Sequence, residues 1–155
     1  GKGSTFYFTH PLFPGESVKL PDTYDSKTNF ALNELPERTI LYADTEITSF
    51  YLLKEQFKKT PFHIVHNRER DEIHKALSKG QADALILDTT FDNGNSLKLL
   101  NEIRTKHKAL PIFIQSPFYM SDEKEQYKAV GSDFYFCKSD VQNILLHELV
   151  KVLYS

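Results

Sequence analysis

From Thr39 to the C-terminus the chain repeats one unit five times: a short apolar run, a polar break, then apolar residues returning at helical spacing. The runs are TILYA (39–43), FHIVH (62–66), ALIL (84–87), PIFIQ (111–115) and FYFC (134–137). Few architectures accept that order. A strand that feeds a helix and then another strand returns parallel to the first through a right-handed crossover, and repeated crossovers lay helices on both faces of one sheet. ALIL shows no polar alternation, as expected of a strand covered on both faces inside a parallel sheet. The spacing therefore predicts an α/β domain, a doubly wound five-stranded parallel sheet. At this length the flavodoxin-like order 2-1-3-4-5 is the economical solution.

The helical stretches follow from the same pattern. Ile47, Phe50, Leu53 and Phe57 share one face of EITSFYLLKEQFKK, and RERDEIHKALSKG predicts a second helix, with Asn67 as its N-cap and Gly80 as the residue that stops it. Leu97, Leu100 and Ile103 mark a third, a fourth begins near Ser121 and Asp122, and VQNILLHELVKVLY is the fifth.

Composition narrows the function. A net charge of −2 over 155 residues offers no surplus of Lys and Arg to neutralise phosphates, so nucleic acid is not an expected partner. No apolar run approaches the roughly 20 residues of a membrane-spanning helix, and no signal peptide is recognisable. The expectation is a cytoplasmic fragment without membrane contact, whose full-length protein is free to carry an anchor elsewhere. Cys137, the single cysteine, rules out an internal disulfide and falls in FYFC, where a buried structural thiol is expected. The six histidines show no metal-ligand spacing with cysteine or acid partners.

In open α/β sheets the ligand crevice lies outside the carboxyl ends of the strands, beside strands one and three in this order. Those ends would collect Asp44, then Asp88 and Thr90, then Ser116, then Lys138. Clustered carboxylates with a backbone carbonyl suit a hard cation such as Mg²⁺, and a lysine supplies a mobile point charge for an incoming phosphoryl group.

These residues carry a resemblance. From Thr39 to Ser155 the chain resembles the receiver domain of two-component response regulators, with ILYADTEIT, LILDTTF, IQSPF and FYFCKS where that family keeps its functional motifs. The resemblance implies that Asp88 is the phosphoacceptor, Asp44 an acidic Mg²⁺ ligand and Thr90 the donor of a carbonyl to the metal. It further implies that Ser116 is the hydroxyl meeting the phosphoryl group, Lys138 its counter-ion and Tyr135 the switch aromatic. The implied partner is the phosphohistidine of a histidine kinase or phosphotransfer domain. Three positions depart from the pattern: Ala43 replaces the first of two adjacent acids, Ser139 the proline after the lysine, and Asp92 the proline four residues after the phosphoacceptor. The first should weaken metal binding, with Glu46 a candidate to compensate. The other two should loosen backbone restraints.

The opposite end is similar to the closing glycine box and last strand of histidine-kinase ATP-binding domains, through Gly1, Gly3, Ser4, Phe6 and Phe8 of GKGSTFYFTHPLF. Residues 1–13 would be that terminal strand, residues 14–38 a Pro-, Gly- and Ser-rich linker, and residues 39–155 the receiver, the layout of a hybrid sensor histidine kinase. Cut from its parent sheet, the strand would pack on the receiver or on a second copy of the chain, forming a homodimer. Two rival functions remain: a degenerate receiver that acts only as an interaction module, and an aspartate-nucleophile phosphatase. The latter lacks its second acid because position 90 is Thr.

Overall fold

Helices seal both faces of the sheet because successive strand residues, which point to opposite faces, are apolar on both. In the computed structural model, residues 32–140 and 144–155 are described. The strand expected within residues 1–13, most of the 14–38 linker and the start of the last helix lie outside them. Strands β1 (Arg38–Ala43), β2 (Phe62–Asn67), β3 (Ala84–Asp88), β4 (Ile112–Ser116) and β5 (Phe134–Cys137) pair in the order β2-β1-β3-β4-β5. All four pairings are parallel, as the sequence predicts. Helices α1 (Ile47–Gln56), α2 (Arg70–Ser78), α3 (Ser96–Lys106), α4 (Ser121–Val130) and α5 (Leu146–Leu153) follow their strands in turn.

The sheet separates two cores. Leu41, Leu85, Leu87 and Ile114 point to one side, against Ile73 and Leu77 of α2, Leu99, Leu100 and Ile103 of α3, and Tyr127 of α4. Ile40, Tyr42, Ile86 and Phe113 point to the other, against Leu53 of α1 and Leu149 of α5. Both β3 and β4 are buried along their whole length. Each fully buried aliphatic side chain contributes about 1.5–3 kcal/mol, so these layers fix strand register firmly. Cys137 is a free, buried thiol, as expected, and burial pushes it above its ordinary value. Among the described residues no helix is long and apolar enough to cross a membrane.

Two details correct the sequence reading. Asn67 is not a helix cap: it is the last residue of β2, paired with Ala43. The α2 cap is Glu69, with Glu72 accepting the backbone N–H groups of Arg68 at 2.7 Å and Glu69 at 3.2 Å. Pairing with β1 outweighs the capping preference of Asn and carries the strand further than local propensity suggests. Gly80 stops α2 as predicted, with φ at +65°. Nor does Asp92 leave its loop unrestrained. The helical turn Phe91–Gly94 holds Asp92 and Asn93 at φ of 55°, a left-handed pair that costs about 1–2 kcal/mol per residue. Arg70 grips that turn, donating to Asp92 at 3.1 Å and also to Glu102 of α3. An ion pair thus ties down a turn whose positive φ at Asp92 a proline could not adopt.

Candidate functional site

Strand β3 ends in Asp88, fully buried, and the neighbouring β1 delivers Asp44, 1% exposed, one residue past its own end. Two unmatched carboxylates at that depth would be expensive, and each is met by donors. Lys138, the first residue after β5, places Nζ 2.9 Å from Asp44 Oδ2 and 3.1 Å from Asp88 Oδ2. Burial pulls this ammonium down, but hydrogen bonds and charge from Asp44 and Asp88 outweigh it and hold Lys138 above its ordinary value. Asp88 Oδ1 accepts from Thr90 twice, from the backbone N–H at 2.8 Å and the hydroxyl at 2.5 Å. Asp44 Oδ1 accepts the N–H of Glu46 at 2.9 Å. His66, stacked on Phe50 at 4.6 Å between ring centroids, sets Nε2 2.7 Å from the Asp44 carbonyl oxygen. Asp44, Asp88, Thr90 and Lys138 therefore converge as the sequence predicts.

Gln115 completes the cluster, and strand-by-strand reading missed it. Its Nε2 donates to Asp88 Oδ2 at 3.0 Å and to Tyr42 Oη at 2.9 Å, while the Tyr42 hydroxyl donates to Asp44 Oδ2 at 2.8 Å. Burial, foremost, pushes the Tyr42 phenol far above its ordinary range. The two Oδ2 atoms are thus met by one ammonium, the Gln115 amide and the Tyr42 hydroxyl. The available signal was a polar residue inside the apolar run PIFIQ, where an amide needs a buried partner. Gln115→Leu should take one donor from Tyr42 Oη and one from Asp88 Oδ2, which keep Asp44 and Lys138 as partners, and lower stability by about 1–3 kcal/mol. The midpoint of urea unfolding measures this, and an unchanged midpoint would mean that water replaces the amide.

Ser116 and Tyr135 form a second, adjoining chain. Thr89 Oγ1 reaches Ser116 Oγ at 3.4 Å, and Ser116 donates onward to Glu123 Oε2 at 2.9 Å. Tyr135 donates to the same oxygen at 2.5 Å. The Ser116 hydroxyl is therefore directed to α4 and not onto Asp88. The Thr90 carbonyl accepts the N–H of Gly94 at 3.3 Å, which uses one of its two lone pairs.

The donor chemistry suits a hard divalent cation, since the oxygens of Asp44 and Asp88 already converge on a single positive charge, the Lys138 ammonium. The set is lean. Among the described residues no group of three or more His, Cys, Asp or Glu side chains is arranged to hold a metal ion. Glu46 approaches within 3.4 Å of Lys138 Nζ, yet its side chain is 69% exposed. The adjoining cavity, lined by Tyr42, Ser49, Leu52, Leu53, Gln56, Gln115 and Lys138, measures about 140 Å³. That is below the roughly 300 Å³ at which small-molecule sites begin, so the cavity is too small for an organic cofactor.

No family model matches the chain. In sequence it is 25% identical over 146 residues to Sensor protein EvgS of Escherichia coli, covering 94% of this chain and 12% of that protein. The EvgS of a second strain of that species is 24% identical over 160 residues, covering 99% and 13%. The chain therefore spans only a small part of the length of these relatives. In structure it is similar to a response regulator from Thermotoga maritima, with a TM-score of 0.69 at 20% identity, over 77% of this chain and 99% of that one. It is likewise similar to the Francisella response regulator 1452 receiver domain, with a TM-score of 0.69 at 18% identity, over 76% and 98%. A two-component response regulator from Clostridium difficile gives 0.69 at 19%, over 76% and 97%. The chain has the fold of response-regulator receivers, and its sequence resembles a segment of a bacterial sensor protein.

Proposed function

We propose that this chain is the phosphoacceptor receiver of a two-component phosphorelay, taking a phosphoryl group from a kinase or phosphotransfer histidine onto Asp88. One observation carries the reading: Asp88, fully buried at the end of the central strand, shares the Lys138 ammonium with Asp44. A carboxylate nucleophile needs no general base. As the phosphorus–nitrogen bond of the donor histidine breaks and a phosphorus–oxygen bond forms at Asp88, the developing charge falls beside Lys138. Thr90 holds Asp88 Oδ1, leaving the Oδ2 side turned to the ammonium. Asp44, Asp88 and the Thr90 carbonyl would hold Mg²⁺, which when bound offsets charge on the phosphoryl oxygens. Ser116 would contact the phosphoryl group and Tyr135 would act as the switch aromatic. The likeness to a sensor protein supports residues 39–155 as the receiver of a hybrid sensor histidine kinase, joined by a 14–38 linker to the tail of an ATP-binding domain. It would work in the cytoplasm.

The test is incubation with acetyl phosphate and Mg²⁺, which should add one phosphoryl group detectable by intact mass. Ala43 supports a second reading, a receiver that binds partners without phosphorylation, because the donors around Asp44 and Asp88 satisfy both acids. An unlabelled chain would select that reading. Ala43 itself is fully buried at the end of β1. Ala43→Asp should tighten Mg²⁺ binding about tenfold by restoring a carboxylate, read by isothermal titration. An unchanged dissociation constant would mean that Glu46 already supplies that charge.

A further inference from the structure

A hydroxyl has a single hydrogen bond to donate, and Ser116 donates it to Glu123. This glutamate lies in the first turn of α4, half-buried, and its Oε2 collects both the Ser116 hydroxyl at 2.9 Å and the Tyr135 hydroxyl at 2.5 Å. Ser116 and Tyr135 are themselves only 3% and 7% exposed, so water competes little for either proton. The same group of side chains sets the entry to α4: Tyr135 also reaches the Phe118 carbonyl at 3.2 Å, and its ring meets Tyr119 edge-on at 5.8 Å. Burial and the Glu123 carboxylate together push the Tyr135 phenol up to about 12, consistent with a proton held on Tyr135 and donated to a full negative charge.

We infer that Glu123 is a positioning residue that latches the site in its unphosphorylated form, holding the Ser116 and Tyr135 hydroxyls on α4 and away from Asp88. The inference rests on the receiver reading of Asp88 and deepens it. A phosphoryl group on Asp88 offers new acceptors beside β4 and a second dense negative charge near Glu123. To donate there, Ser116 must turn its hydrogen bond from Glu123 Oε2 to a phosphoryl oxygen. No proton changes owner and no covalent bond breaks. The carboxylate loses one donor, its repulsion by the phosphoryl group favours outward movement of the α4 turn, and Tyr135 is released with it. Phosphorylation and the position of α4 are thereby linked through one side chain.

Two measurements test this. The rate of Asp88 phosphorylation by acetyl phosphate should rise about tenfold in Glu123→Ala, since a hydrogen bond to a charged group no longer has to be broken first. Glu123→Gln, which keeps a neutral acceptor and the side-chain volume, should gain less. In a Ser116→Ala background the gain should vanish, which a general loosening of α4 would not produce. An unchanged or slower rate in Glu123→Ala, or a gain that persists without the Ser116 hydroxyl, overturns the latch. The second measurement needs no phosphorylation. The Tyr135 hydroxyl proton, assigned by NMR against Tyr135→Phe, should be visible and shifted downfield in the parent and should lose that shift in Glu123→Ala, where only the Phe118 carbonyl remains to accept it. A parent chain that takes up no phosphoryl group defeats the receiver reading, and the hydroxyl resonance then decides the latch by itself: loss of its downfield shift in the variant supports the latch, and its absence from the parent or an unchanged shift in the variant overturns it.

Discussion

Asp88→Asn should take up no phosphoryl group from acetyl phosphate under conditions in which the parent takes up one, a loss without measurable remainder. The substitution keeps shape and volume at a fully buried position, so the two core layers are undisturbed. It removes the nucleophile, a carboxylate oxygen able to form an acyl phosphate. An amide can still accept from Thr90, whose N–H and hydroxyl meet Asp88 Oδ1 at 2.8 Å and 2.5 Å. The amide nitrogen would then face the Gln115 and Lys138 donors, a mismatch expected to cost about 1–3 kcal/mol. Unfolding should be followed beside intact mass, so that lost labelling is not lost folding. Equal labelling of parent and variant would place the phosphoryl group elsewhere, with Asp44 the next carboxylate to test.

The second large effect belongs to Lys138. Lys138→Met would leave Asp44 and Asp88 buried with neutral donors only. Breaking a buried ion pair costs about 3–5 kcal/mol, but the Lys138 side chain is 25% exposed and water reaches the vacated place, so about 2 kcal/mol is expected. The pH profile separates this from lost packing. Lys138 is held above its ordinary value by Asp44 and Asp88 against the opposing pull of burial. A raised folded value means that the ammonium's stabilisation is fully present below the unfolded value of about 10.4, and is lost as pH rises through the folded value. The stability gap between parent and variant should therefore be constant between about pH 7 and 9 and narrow above about pH 10.4. Urea unfolding across that range measures it. A variant as stable as the parent at pH 8 would show that the acids do not depend on the lysine. Phosphorylation should fall as well, because the same charge faces the incoming group.

Legibility differed between backbone and side chains. Each strand was readable because its apolar run is short and its neighbours in sequence are turn formers, so local pattern and final burial agree. Asp44, Asp88, Thr90 and Lys138 were readable for a related reason, since topology forces all strand ends to one edge of the sheet. Asn67 misled because a good capping residue is also acceptable at the end of a paired strand, and only β1 decides between the two. Ile47 sits at core spacing, yet it is 46% exposed at the start of α1. Helical periodicity gives a face, but it does not say how far the sheet beneath extends.

The sequence by itself determined the α/β architecture, the parallel order of the strands and the convergence of two acids and a lysine, because periodicity and chain reversal are local and the crossover rule carries them to the whole sheet. Only the tertiary structure decided how those charges are satisfied. Gln115 reaches Tyr42, 73 residues away, and Arg70 reaches Asp92, 22 residues away. Glu123 gathers Ser116 and Tyr135 from two different strands. An amide, a phenol and a glutamate have no pattern of their own in a sequence. Their meaning comes from which buried donor or acceptor lies within about 3 Å once the chain is folded, and that distance is set by the packing of layers far apart along it.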